Sequence, residues 1–491
     1  MTVENNQLAT VAPTSGPAIP RARARERAQQ PSREERTAKG KSARGVITRS
    51  EMGRWTEPSD RADPVGILSS QADGRLPELV PLRNARMLTS PFAFLRGGAA
   101  VMAADLGSSP SSGIVTQLCG DAHLSNFGGY AAPDRQIVFD LNDFDETLPG
   151  PWEWDVKRLV ASLAIAGRER GFDASQRQRL VLAAAEAYRT AMRQFADWGH
   201  LEVWYSRLTA AGIVERWGDR VDKQTLRAFE KRMRKAMTKD SASASAKLTE
   251  LVDGERRMVN NPPLVVPLGE LFQEDSVRVA TEKAVRSGLR GYARSLPGDR
   301  RHLLEEFRFV DIARKVVGVG SVGTRSWIVL LRGIDGDDPL MLQIKEARGS
   351  VLAPFANCSS FANQGQRVVE GQRLMQASSD IFLGWSRGPV VDGQSRDFYV
   401  RQLWDWKVSF DVERGTVATL TIMAEMCGWT LARAHARSGD RVAIAAYLGR
   451  GDSFDRAMAG FAEAYADQNE RDYERFAAAA TQGQIEVAEE L

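Results

Sequence analysis

Apolar positions along this chain follow two rhythms, one near 3.6 residues and one of two, and the rhythms occupy different stretches. After Asp155, the positions Val156, Leu159, Val160 and Leu163 fall on one face and predict an amphipathic helix. Helical text also runs over Phe92 to Leu106, Ala174 to Trp198, Lys223 to Met237, Ser241 to Met258, Glu270 to Ser295, Phe361 to Met375, Ala424 to Arg437 and Phe454 to Ala480. Strand text is shorter. It covers Gly113 to Leu118, the β-branched and aromatic run Ile137-Val138-Phe139, Trp327 to Leu331, LQIKEA around Lys345, and DFYVRQL. The turn Asp335-Gly336-Asp337-Asp338-Pro339 joins two of these strands. An α+β chain is expected, with a mostly helical large unit over 49–304, a small antiparallel β unit over 305–410 and closing helices over 411–491.

Residues 1–48 are rich in Ala, Pro, Ser and Arg without periodicity, so a disordered basic tail is expected there. Its Arg21, Arg23, Arg25 and Arg27 read as solvated charge. The first fifty residues hold ten of the 66 Lys and Arg and four of the 63 Asp and Glu. The rest of the chain is therefore slightly acidic, which argues against a nucleic-acid-binding folded part. The basic positions Arg227, Lys231, Arg232, Arg234 and Lys235 read as a solvated helix face. Three cysteines, Cys119, Cys358 and Cys427, have no metal-ligand spacing and suit a reducing cytoplasm. Apolar runs are too short for a membrane span, and the N-terminus lacks the order of a signal peptide.

Chemistry concentrates between Cys119 and Asp155, where Asp121, Asp140, Asp143, Asp145 and Asp155 stand with His123 and Asn126 around one apolar strand. Unpaired carboxylates beside a buried strand are costly, so a cation is expected among them. Some 170 residues later, Gly318, Gly320 and Gly323 form a GxGxxG loop. A dinucleotide-binding fold needs a helix after such glycines, whereas Trp327 to Leu331 is strand text. Two strands flanking a glycine loop make a flap whose N–H groups can approach phosphate.

The segment GDAHLSN, followed by NDFDE and GPWEWDVKRL, resembles the catalytic loop, metal-binding strand and next helix of the aminoglycoside phosphotransferase and choline kinase group, within the protein-kinase-like superfamily. From RMLTSPFAFLRG through Leu159, and over nearly the whole chain after the tail, the sequence also resembles a bacterial domain-of-unknown-function family, number 2252. The kinase-like resemblance implies a two-lobed fold binding ATP and Mg2+. Asp121 would accept the proton of a hydroxyl acceptor whose identity is not readable, with His123 supporting the loop or ligating metal. Asn126 and Asp143 would hold magnesium, with Asp145 and Asp140 either further ligands or hydrogen-bonded loop residues. Lys345 would grip the phosphates, Glu370 would hold Lys345, and the backbone from Gln402 through Leu403 to Trp404 would meet adenine. Asp155 would brace the catalytic loop and His435 would be a packed helix residue.

In ordinary kinases the glycine loop and lysine precede the catalytic Asp, whereas here they follow it, so a circular permutation is expected. Transfer of AMP, or nucleotide binding without catalysis, is compatible with the same residues. A metallophosphoesterase seating two metals on Asp121, His123, Asp140 and Asp143 ranks lower, because His200, His302 and His435 stand in no ligand spacing. Arg86, Arg96 and Ser90 are candidates either to orient phosphate or to fix the chain by ion pairing.

Overall fold

The computed structural model describes residues 30–316, 318–389, 393–403 and 405–489. It is a mixed α+β structure in which every strand pair is antiparallel. The helical part is built around the helices Glu153–Glu169, Ala174–Asp197, Val417–Ser438 and Ser453–Thr481. Buried side chains from all four, including Leu159, Leu163, Tyr188, Leu431 and Phe461, share one apolar core. Trp152, fully buried, stacks on Tyr188 with centroids 5.6 Å apart. That core carries β1 (Val115–Leu118) paired with β4 (Leu148–Pro151), and β2 (Phe127–Ala131) paired with β3 (Ile137–Leu141). The short β5 (Leu208–Thr209) adds to β3.

A hairpin, β6 (Thr249–Val252) and β7 (Glu255–Met258), precedes the larger sheet. That sheet contains β8 (Val265–Pro267), β9 (Arg308–Lys315), β10 (Ser326–Arg332), β11 (Pro339–Ala347), β12 (Gly384–Pro389) and β13 (Ser395–Gln402), in the order β12-β13-β11-β10-β9-β8. The two-residue period sends Val329, Leu331, Leu342 and Ile344 to one face, where Tyr292 and Leu296 cover them. Ile328, Leu330 and Met341 go to the other, against Ala244, Leu248 and Met258. Lys345 lies on this second face, one position beyond Ile344.

Four expectations change. The proposed tail is helical from Arg33 to Ser42, started by a reciprocal capping box between Ser32 and Glu35. Ala43 and Ile47 are buried behind it, and Arg44 donates to the Tyr447 carbonyl at 2.9 Å. Gly40 permits this docking, since a Cβ there would sit 2.1 Å from the Ala443 carbonyl oxygen. The remainder of the expected tail, residues 1–29, lies outside the described residues. The helix expected over Phe92 to Leu106 is two, Pro91–Gly97 and Ala99–Gly107, separated at Gly98. The helix expected over Ser241 to Met258 stops at Leu248. Asp253 and Gly254, at φ 51° and 79°, turn the chain into the β6–β7 hairpin. Finally, the helix Asp275–Ser295, assigned above to the large unit, packs with β8 and the segment after it on the small sheet.

Candidate functional site

Between the small sheet and the helical part lies a cleft of about 800 Å3, lined by Asn126, Asp143, Gly318, Lys345, Arg401, Gln402 and Leu403 among others. A second cavity of about 450 Å3 adjoins it and is lined by Asp121, Asp145, Gly320, Ser321 and Arg75. Residues two hundred positions apart thus face one another.

The loop after β1 is held from below. Asp155, in the first turn of its helix, accepts the backbone N–H groups of Cys119 at 2.7 Å and Gly120 at 3.0 Å. His435 Nε2 lies 3.2 Å from the same carboxylate, and Tyr188 meets His435 Nδ1 at 2.8 Å. The expected bracing role of Asp155 has this physical form. Gly120 adopts φ 87°, and a Cβ there would stand 2.4 Å from the Glu146 carbonyl oxygen, so the loop requires glycine.

Asp121 follows on that loop. Its Oδ1 accepts from Arg158 Nε at 2.9 Å, and Asn126 Nδ2 donates to its backbone carbonyl at 2.8 Å. Burial raises the Asp121 pKa against the opposing Arg158 guanidinium. His123 is buried, with Nε2 3.6 Å from Asp121 Oδ2 and its ring edge-on to Phe92. Burial first, then Arg158 and Arg96, hold its pKa well below the ordinary histidine value, so it is neutral.

Lys345 comes from β11, opposite Ser326 on one side and Tyr399 on the other. Its Nζ is 2.6 Å from Asp145 Oδ2 and 4.0 Å from Asp143 Oδ1. Tyr399 donates its hydroxyl to Asp145 Oδ1 at 2.6 Å, and Ser321 of the glycine loop reaches Asp145 Oδ2 at 3.3 Å. Both oxygens of Asp145 are therefore engaged. In this structure Asp145 is the partner of Lys345. Burial disfavours its charge, yet Lys345 and Tyr399 outweigh burial and keep its pKa below the usual range. Burial and the neighbouring Asp145 instead raise Asp143. Glu346, the next residue along β11, points away and pairs with Arg325 and Arg396.

Glu370 does not meet Lys345. It lies on the helix Gln364–Met375 and pairs with Arg373 one turn on, at 3.2 Å. Gln402 and Leu403 line the cleft, but the Gln402 N–H donates to Asp380 and the Leu403 N–H donates to the Met341 carbonyl at 2.9 Å. Neither N–H is available to a base. Trp404 lies outside the described residues.

The glycine loop adopts φ 64° at Gly318 and 86° at Gly323. It is tied to the helical part: Arg86 donates to the Gly318 carbonyl at 2.6 Å, Arg75 to the Gly320 carbonyl at 2.9 Å, and Leu76 N–H to the Gly323 carbonyl at 2.7 Å. Ser90 caps the helix Pro91–Gly97 by accepting the Ala93 N–H.

Asp140 is fully buried against Arg433, with both carboxylate oxygens within 2.7 Å of Nη2, and also accepts the Ala377 N–H. It is a structural counter-charge. Among the described residues, no three His, Cys, Asp or Glu side chains form a metal-ligand group. Asn126 and Asp143 are oxygen donors on the cleft wall, and with its Nδ2 donating to Asp121 the Asn126 side chain presents Oδ1 with no protein donor among the described residues. That donor set fits a hard divalent cation carried in with phosphates.

Sequence reasoning left Arg158, Tyr399 and Arg401 without roles. Arg401 donates to Gln343 Oε1 and the Asn142 carbonyl, both at 3.2 Å, and faces the cleft. A signal existed for Arg158, three positions after Asp155 in DVKRL, because a helix that caps the loop with one residue presents its next turn to the same loop.

Comparison with curated proteins gave no match, and comparison with solved structures likewise gave none. A family model described as an uncharacterized protein conserved in bacteria (DUF2252) matches residues 75–479, a span that takes in the larger cleft and every residue placed above in the site. The chain therefore belongs to that bacterial family.

Proposed function

We propose that this protein is an ATP- and magnesium-dependent phosphotransferase acting on a hydroxyl acceptor, with a circularly permuted kinase-like arrangement of two lobes. The observation that carries the reading is the approach of Lys345 Nζ to Asp145 at 2.6 Å and to Asp143 at 4.0 Å, across two hundred residues of chain. A cation on a strand beside a glycine loop, facing an Asp and Asn beyond it, suits the binding of a triphosphate, where positioning and charge neutralisation do most of the work.

Lys345, released in part from Asp145, takes the α and β phosphates, and Arg401 adds positive charge along the same wall. Asn126 and Asp143 would hold magnesium, which when bound neutralises phosphate charge. Asp121 receives the proton of the acceptor hydroxyl as its oxygen bonds to the γ-phosphorus and the bond from that phosphorus to the β-bridging oxygen breaks, releasing ADP. Neutral His123, packed beneath, keeps the carboxylate in place. The absence of a three-ligand group among the described residues and the burial of Asp140 against Arg433 weigh against the two-metal esterase.

The test is calorimetric titration of the purified chain with ATP, with and without magnesium, followed by incubation with α- and γ-labelled ATP and a panel of hydroxyl compounds. Magnesium-dependent binding lost in Lys345→Met and Asp143→Asn supports the reading. Transfer of α label in place of γ label would convert it to AMP transfer. No nucleotide binding by the unaltered chain overturns it.

A further inference from the structure

Arg96 stands out among the guanidinium groups near the site. It projects from the helix Pro91–Gly97, whose Phe92 and Leu95 are buried, and it lines both the larger cleft and the smaller cavity. Asp143 is the other residue common to the two linings. Arg96 therefore marks their junction.

Its neighbours are satisfied by protein. Arg158 is paired with Asp121, Arg75 gives N–H groups to the Gln71 and Gly320 carbonyls, and Arg348 donates to the Gln71 and Asp73 carbonyls. Arg96 has no hydrogen-bond acceptor and no ion pair among the described residues, and its Nε is fully buried. Asp121, Glu169 and Glu413 influence it only through space. Only Nε is buried without an acceptor; the Nη groups reach the two cavities, where an anion can take their N–H bonds in place of water. The arrangement makes sense if an anion completes it. An anion there would have Lys345 and Asn126 on the cleft side and Asp121 on the other.

We infer that Arg96 receives the γ-phosphate of the bound nucleotide, at the point where it passes from donor cleft to acceptor cavity. The inference rests on the phosphotransferase reading and adds a residue from outside the glycine loop, lysine and acidic motifs. Lys345 serves the part of the nucleotide that ATP and ADP share, whereas Arg96 serves the part that only ATP carries.

The two roles separate by affinity without turnover. Binding of a non-hydrolysable imido analogue of ATP and of ADP, each with magnesium, is measured for the unaltered chain, Arg96→Ala, Arg96→Lys and Lys345→Met, with thermal melting to establish folding. Loss of one charge-assisted contact corresponds to about a 10- to 100-fold change. Arg96→Ala is expected to weaken the triphosphate by that factor and to leave ADP within about twofold. Arg96→Lys is expected to recover part of the difference, and Lys345→Met to weaken both ligands. Equal losses for the two nucleotides in folded Arg96 variants, or no loss, overturn the role of Arg96 while leaving phosphotransfer standing. An unaltered chain that binds neither nucleotide removes the phosphotransferase reading itself.

Discussion

Asp155 and His435, 280 residues apart, meet at 3.2 Å in the core, and the Asp155 carboxylate holds the Cys119 and Gly120 N–H groups at the same time. Helix Val417–Ser438 is thereby fastened to the loop that carries Asp121. Asp155→Ala leaves a buried and a partly buried backbone N–H without their acceptor and is expected to destabilise the fold by about 3 kcal/mol, more than His435→Ala, which leaves both of those bonds in place. Urea denaturation of the two variants checks the order. A His435→Ala loss exceeding that of Asp155→Ala would show that ring packing, and not loop bracing, is the main role of this pair.

Asp140 and Arg433 form a buried pair with side-chain exposures of 0% and 1%. Removing one partner strands the other charge, so Arg433→Met alone is expected to cost about 3–5 kcal/mol, while Asp140→Asn with Arg433→Met recovers much of it. A double-mutant cycle by chemical denaturation reads the coupling. Additive losses would mean that the two charges are solvated independently.

Lys345 is steadied by Asp145 and Tyr399, not by Glu370. If the cleft takes a nucleotide, Glu370→Ala should leave magnesium-ATP affinity within about twofold, whereas Asp145→Asn should lower it about tenfold through loss of charge-assisted bonding. Fluorescence or calorimetric titration decides. A larger effect from Glu370 would indicate that the helix Gln364–Met375 shifts to engage Lys345 on binding.

Asp380, on the wall of the larger cleft, provides a pH test. Burial raises its pKa from 3.8 to about 6, against the opposing Gln402 and Phe382 N–H bonds. Between pH 3.8 and about 6 the folded chain keeps a proton that the unfolded chain has released. Stability attributable to this group is therefore present at the acid end and falls as pH rises through the window. Because the side chain is partly solvated, the loss is about 1 kcal/mol after allowing for screening. Thermal melts across that range should show Asp380→Asn gaining stability relative to the unaltered chain as pH rises.

Several structural elements were legible in the residues themselves. The period-two text of β10 and β11 placed Lys345 on a strand, and the apolar stripe after Asp155 placed a helix. The same local signals existed, unread, where expectations failed. Ser32 and Glu35 are spaced as a capping box, and Asp253-Gly254 between short apolar runs is a hairpin turn. Helical text continued past Leu248 hid the second, and composition obscured the first, since a basic Ala-rich segment resembles disorder until something covers it. Here the covering surface is the helix Arg441–Leu448, far away in sequence.

Local pattern determined which residues lie on strands and helices, because backbone periodicity and turn chemistry act over a few positions. Long-range packing alone decided the partners: Asp145 for Lys345 in place of Glu370, Arg433 for Asp140, Arg158 for Asp121, and none among the described residues for Arg96. A carboxylate in sequence advertises only a charge. Whether that charge serves an ion pair, a hydrogen-bonded loop or a bound cation depends on which cation burial leaves beside it, and burial is settled by how distant segments pack.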